Sequence, residues 1–201
     1  MTVKLVGSTS GSVSLQAPAS TTGGAHRVLT LPDVNGTVAT TTTAGKILQV
    51  VQTVKTNRTT IQSTTLTDIA GMSVSITPSS SSNKVLISYS IIFYMNGGEY
   101  WNMRLLRGSD STIFIGDQNA SATSQSRGTF GGYTSAYVDA RVIAQEFLDS
   151  PNTTSATTYK LQAHAPYSAS YIIGINNSPQ LDNYTYISNG VSTITAMEVA
   201  A

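Results

Sequence analysis

KVLISYSIIFYM, residues 84–95, is the most strongly β-prone run in the chain. Its β-branched and aromatic side chains suit a pleated, packed surface. It reads as a central strand of a sheet. Just before it, SSSSN at 79–83 is a polar turn, and just after it Gly97-Gly98 marks another.

Working outward, the neighbours read the same way. KILQVVQTVKT at 46–56 alternates in part, and RTTIQSTTLTDIAGMSVSITP at 58–78 carries Ile61, Leu66, Ile69, Met72, Val74 and Ile76. GGEYWNMRLLRG at 97–108 and STIFIG at 111–116 follow. The longest polar stretch, DQNASATSQSRGTFGG, spans 117–132. SAYVDARVIAQEFLDSP at 135–151 fits helix or strand, and its setting among strands favours strand; Pro151 ends it. TTYKLQAHA, SASYIIGIN and STITAMEVA complete about eight to ten strands with no convincing amphipathic helix, the pattern of a sandwich, jelly roll or barrel.

Residues 1–46 form a thinner segment. Short apolar alternations (Val3, Leu5; Val13, Leu15; Val28, Leu29, Leu31; Val34, Val38) are separated by Gly, Ser, Thr and Pro clusters, with a turn signal at Asn35-Gly36. No aromatic residue occurs there, and one copy is too poor in large side chains to build a core. Three copies around one axis would share Val13, Leu15, Leu29 and Leu31 as a common interior. That is the basis for expecting a trimeric β-shaft or attachment segment; a flexible Ser/Thr linker is the alternative. TTTTAGK at 40–46 reads as a hinge into a second domain, 47–201.

Composition narrows the functional classes. Charged residues make up 10 % of the chain and the net charge is +1, where about 25 % charged is usual. So weak a field argues against nucleic acid or an anionic membrane surface as the main partner. With no cysteine, neither a disulfide framework nor a thiolate metal site is available. No stretch approaches a membrane span of roughly 18 apolar residues. MTVKLVGSTSGSVSLQ lacks the long apolar run of a secretory signal, so release by lysis is the expected route out of a cell.

The chain from about Ile47 to Ala201 resembles a module of bacteriophage fibre proteins, notably of marine and cyanobacterial phages. ILQVVQTVKT, TDIAGMSVSITPSSSSNKVLI, RGTFGG, EFLDSPNTTSATTYKLQ and GVSTITAMEVA carry the likeness, in the family's order. SVSLQAPASTTGGAHRVLTLPDVNGTVAT is similar to the shaft or attachment segments that precede such modules. The resemblance implies an all-β chain: a short N-terminal shaft followed by a jelly-roll-like β-sandwich head of the C1q/tumour-necrosis-factor type, trimeric. It further implies a virion protein of tail or capsid surface, anchored to other virion proteins by its N-terminal segment. The head would face a host-surface glycan or protein. The alternatives are a capsid fibre or decoration protein without a receptor role and, in another class, a polysaccharide-degrading spike.

Chemistry is sparse. His26 and His164 are the only histidines, and no G-x-S-x-G elbow accompanies them. A glycosidase needs two carboxyl groups roughly 5–10 Å apart; Glu99, Asp110 and Asp117 are the acids near aromatic residues, and nothing pairs them. GDQNAS at 116–121 loosely resembles a calcium loop but lacks its alternating acids. No catalytic residue, metal ligand or cofactor site is expected.

Binding is better supported. FYMNGGEYWNMR at 93–104 gathers Phe93, Tyr94, Tyr100 and Trp101 around a turn, with Arg104 nearby; flat aromatic faces stack on sugar rings while polar neighbours fix orientation. The polar stretch from Asp117 to Tyr137 adds Arg127, Phe130 and Tyr133. Alternate members facing the core, or covering a subunit contact, is the competing reading. Tyr184 and Tyr186 alternate with polar residues and suit a threefold contact.

Overall fold

The computed structural model describes residues 2–6, 12–16, 46–109, 111–113, 128–135, 139–177 and 190–201. The chain divides into two compact units, Met1–Ala44 and Gly45–Ala201. In the first, β1 (Thr2–Val6) pairs antiparallel with β2 (Ser12–Gln16), setting Val13 opposite Leu5 and Leu15 opposite Val3. Leu29 and Leu31 lie outside the described residues, as do Asn35-Gly36 and His26.

The second unit is all-β among its described residues, with two antiparallel sheets. The β-prone run KVLISYSIIFYM is β6 (Lys84–Met95). Because successive strand residues point to opposite faces, Val85, Ile87, Tyr89, Ile91, Phe93 and Met95 turn inward and are buried, while Leu86, Ser88, Ser90, Ile92 and Tyr94 are half-buried on the outer face. The strand is central. Its whole length from Val85 to Met95 pairs with β10 (Asp139–Asp149), so the ambiguous segment around Val142 is strand. Its other edge is shared: β13 (Ser192–Val199) takes Lys84–Ser90 and β12 (Ile173–Ile175) takes Phe93–Met95. Outside these lie β3 (Ile47–Lys55) on β13 and β4 (Thr59–Ile61) on β12.

The gap between β13 and β12 is bridged by Asn176, which is fully buried with φ at 67°. Asparagine is among the few non-glycine residues that enter the left-handed region readily. From there its backbone N–H donates to the Ile92 carbonyl at 2.9 Å and its carbonyl accepts from Gly190 at 2.8 Å. Its side-chain amide donates to the carbonyls of Lys55 (2.8 Å) and Asn57 (3.2 Å), and its Oδ1 accepts from Ser192 Oγ. Ser192 Oγ in turn accepts from the Ile92 N–H at 3.0 Å. Buried backbone groups that the ladder would leave orphaned are thus paired.

The second sheet mirrors the first. Its order is β5 (Thr67–Ile76), β11 (Thr157–His164), β7 (Glu99–Arg107), and the far edge of β7 is again shared, by β9 (Phe130–Thr134) at Glu99–Met103 and β8 (Ser111–Ile113) at Leu105–Arg107. The inner faces of both sheets enclose one core, from Ile87, Ile91 and Phe93 on one side to Trp101, Met103, Leu105 and Leu161 on the other. The unit is therefore a β-sandwich.

Two carboxylates pin the rim. Glu198, almost fully buried, accepts from Ser79 N and Oγ, Asn83 Nδ2 and Gln49 Nε2, all within 2.6–2.7 Å. Burial alone would raise its pKa, but the hydrogen bonds from Asn83, Gln49 and Ser79 outweigh it and bring the group down to about 2. Asp149 accepts from Arg107 at 2.9 Å and from the Tyr159 hydroxyl at 2.8 Å. Burial first, and then that carboxylate, push the Tyr159 phenol well above its ordinary range.

Candidate functional site

The Gly97-Gly98 turn feeds β7, and strand alternation then sorts its side chains. Glu99, Trp101, Met103 and Leu105 face inward, while Tyr100, Asn102 and Arg104 face out. Tyr100 is 61 % exposed and Trp101 1 %. Trp101 is therefore a core residue, its ring 4.3 Å from Phe93 and 5.4 Å from Phe130 between centroids. Odd parity on β7 is the physical reason it stands apart from the surface group proposed with it. Glu99 is also buried, its carboxylate accepting the next backbone N–H, that of Tyr100, at 2.6 Å.

Strand β9 supplies the second aromatic. Register sets Tyr133 directly opposite Tyr100, and such pairs carry their side chains on one face. The two rings are tilted by 53° with centroids 5.0 Å apart, and Tyr133 is 50 % exposed. Two glycines make the room. A Cβ on Gly98 would meet the Tyr133 hydroxyl at 2.9 Å, and one on Gly131 would collide with Asn102 Oδ1. Phe130, opposite Met103, turns to the inner side against Trp101 and stays partly exposed at the sheet edge.

Arg104 is held by a relay on the same face. Its Nε donates to Gln162 Oε1 at 2.8 Å; Gln162 Nε2 donates to Asp68 Oδ1; Lys160 Nζ donates to Asp68 Oδ2 at 2.8 Å. The hydrogen bonds from Lys160 and Gln162 lower the Asp68 pKa. His164 sits opposite Asn102. Its Nδ1 donates to the Thr64 carbonyl at 2.8 Å, while Nε2 is buried and unpartnered.

Of the residues expected in a binding site, the structure thus brings Tyr100, Tyr133 and Arg104 onto one face, whereas Phe130, like Trp101, turns to the inner side. Arg127, Asp110, Asp117, Tyr184 and Tyr186 lie outside the described residues. Asn102 joins the face by alternation along β7, and Gln162, Lys160 and Asp68 only by pairing across β5, β11 and β7. Among the described residues, no three metal-ligating His, Asp or Glu side chains are grouped.

The outer face of the other sheet is different. Register aligns Val50, Met197, Leu86 and Leu148 in one row across β3, β13, β6 and β10. A second row runs Val54, Thr193, Ser90, Ala144, and Val142 lies beside Ile92. Val50 is 57 %, Leu148 46 % and Val142 68 % exposed. Between the two rows lie Gln52, Thr195, Ser88 and Glu146, so Glu146 is the one charge among these positions.

No protein-family model matches this sequence, and no curated protein matches it.

Proposed function

We propose that the chain is the subunit of a trimeric fibre or spike on a virus particle, a structural protein of tail or capsid surface. Its N-terminal segment anchors it to other virion proteins. Its β-sandwich, jelly-roll-like in this reading, is the head presented to a host surface, with a glycan as the target class. The observation that carries this is the contrast between the two outer faces of one sandwich. One carries an exposed apolar row beside a polar one that holds a single charge, and exposed apolar surface of this kind is what soluble chains cover with a partner. The other presents exposed tyrosines beside a fixed polar relay, the kind of surface that meets a polar ligand. The low charge of the whole chain and the fibre-like strings of the sequence agree with both.

The test has two parts. Native mass measurement of the purified chain gives three copies in this reading; a folded monomer at nanomolar concentration overturns it. Gold-labelled antibody against residues 47–201 decorates intact particles and blocks their adsorption. Labelling without any block retains the structural role and removes attachment.

A further inference from the structure

Strand β7 turns Tyr100, Asn102 and Arg104 to one face in line, Tyr100 exposed and the other two half-buried. At roughly 3.3 Å per residue the ends of this ladder lie about 13 Å apart, the span of a short oligosaccharide. The Tyr100–Tyr133 pair at one end offers flat apolar faces, and Asn102 in the middle offers an amide. At the other end the Arg104 guanidinium is oriented, among the described residues, through Nε. Among the described residues no salt bridge joins Arg104 to a carboxylate, and the nearby Asp68 charge reaches it only at longer range. Asp68 is already engaged by Lys160 and Gln162. Two cations and one carboxylate leave this end of the face with one positive charge. A guanidinium fork that is fixed in direction and still has terminal N–H groups to offer matches a carboxylate in plane.

We propose that the Tyr100–Asn102–Arg104 ladder binds an acidic saccharide, a pyranose ring stacked on the tyrosine pair and a uronate carboxylate held by Arg104. This deepens the glycan-attachment reading and rests on it. A single cation supplies selectivity among glycans without the broad basic field that nucleic acid would require.

Calorimetric titration of the full chain with a uronic acid trisaccharide, and with the neutral trisaccharide of the same linkage, tests it. The acid binds about tenfold more tightly or better, a margin of about 1.4 kcal/mol, and salt narrows the gap. Arg104→Gln removes the preference, so that the acidic and the neutral sugar bind alike; Arg104→Lys keeps part of it. Tyr100→Ala combined with Tyr133→Ala weakens both sugars, with thermal melting confirming that each variant is folded. Equal affinity of the unmodified chain for the two sugars overturns the acidic assignment and leaves the glycan reading standing. A preference that survives Arg104→Gln overturns it by moving the anion elsewhere. Binding of neither sugar overturns both.

Discussion

Trp101 of β7 and Phe93 of β6 meet across the sandwich, ring centroids 4.3 Å apart and planes tilted by 35°. The contact joins the central strand of one sheet to the central strand of the other. Both residues are fully buried or nearly so, and the Trp101 indole N–H finds no acceptor. Trp101→Ala is expected to cost about 3–5 kcal/mol from lost burial and the cavity left behind. Trp101→Phe should cost distinctly less, because it also removes an unpaired buried donor, worth about 1–3 kcal/mol. Urea unfolding of the pair measures both. A Phe variant as unstable as the Ala variant would show that the N–H carries no penalty.

Glu198 sets the acid limb of stability. Its pKa in the folded chain is about 2, against an ordinary 4.5. The unfolded chain therefore takes up this proton at a higher pH than the folded chain does. The stabilisation is complete above about 4.5 and is lost as pH falls towards 2. In Glu198→Gln this part of the pH dependence disappears, and stability at neutral pH drops by roughly 2 kcal/mol, because several charge-assisted hydrogen bonds become neutral ones. Melting temperatures of both proteins between pH 2 and 7 decide it: parallel curves would sink the assignment.

Asn176 combines a left-handed backbone with paired polar contacts, and the two effects separate by substitution. Asn176→Gly keeps the φ of 67° accessible but leaves the carbonyls of Lys55 and Asn57 without the side-chain amide. Asn176→Ala loses the same bonds and adds backbone strain of about 1 kcal/mol. Both variants should be destabilised by about 2–4 kcal/mol, with alanine the worse of the two. Chemical denaturation that ranks glycine below alanine would mean the backbone conformation is not what selects asparagine here.

The strands themselves were legible because β-branched and aromatic runs alternate with turn residues, and KVLISYSIIFYM marks the central one. Side-chain parity was harder. Tyr100 and Trp101 are adjacent, both aromatic, both next to a turn, and only the pairing of β7 with β9 and β11 decides which one faces water. Asn176 and Glu198 left no local signal at all. Their partners are distant: Lys55 lies 121 positions from Asn176, and Gln49 lies 149 positions from Glu198. No window of sequence contains such a contact. The relay from Arg104 through Gln162 to Asp68 escapes a local reading for the same reason.

The apolar row Val50, Met197, Leu86, Leu148 gives the sharpest handle on assembly. Its end members belong to β3 and β10, each pairing on one side only among the described residues. Long apolar margins of this kind are covered in stable proteins or else promote aggregation. If copies of the chain cover this face, a charge placed in the row must be desolvated on assembly, whereas in a monomer it simply meets water. Val50→Lys and Leu148→Glu are each expected to shift the assembly towards monomer, while the isolated sandwich keeps its fold, since neither side chain enters the core. The charge-reversed partner Glu146→Lys, in the polar row between, should perturb assembly less. Light scattering across a concentration series reads the stoichiometry, and far-ultraviolet circular dichroism checks the fold. Assembly that withstands both row substitutions would place the contact between copies on another surface, and would leave this face without a role in the proposed fibre.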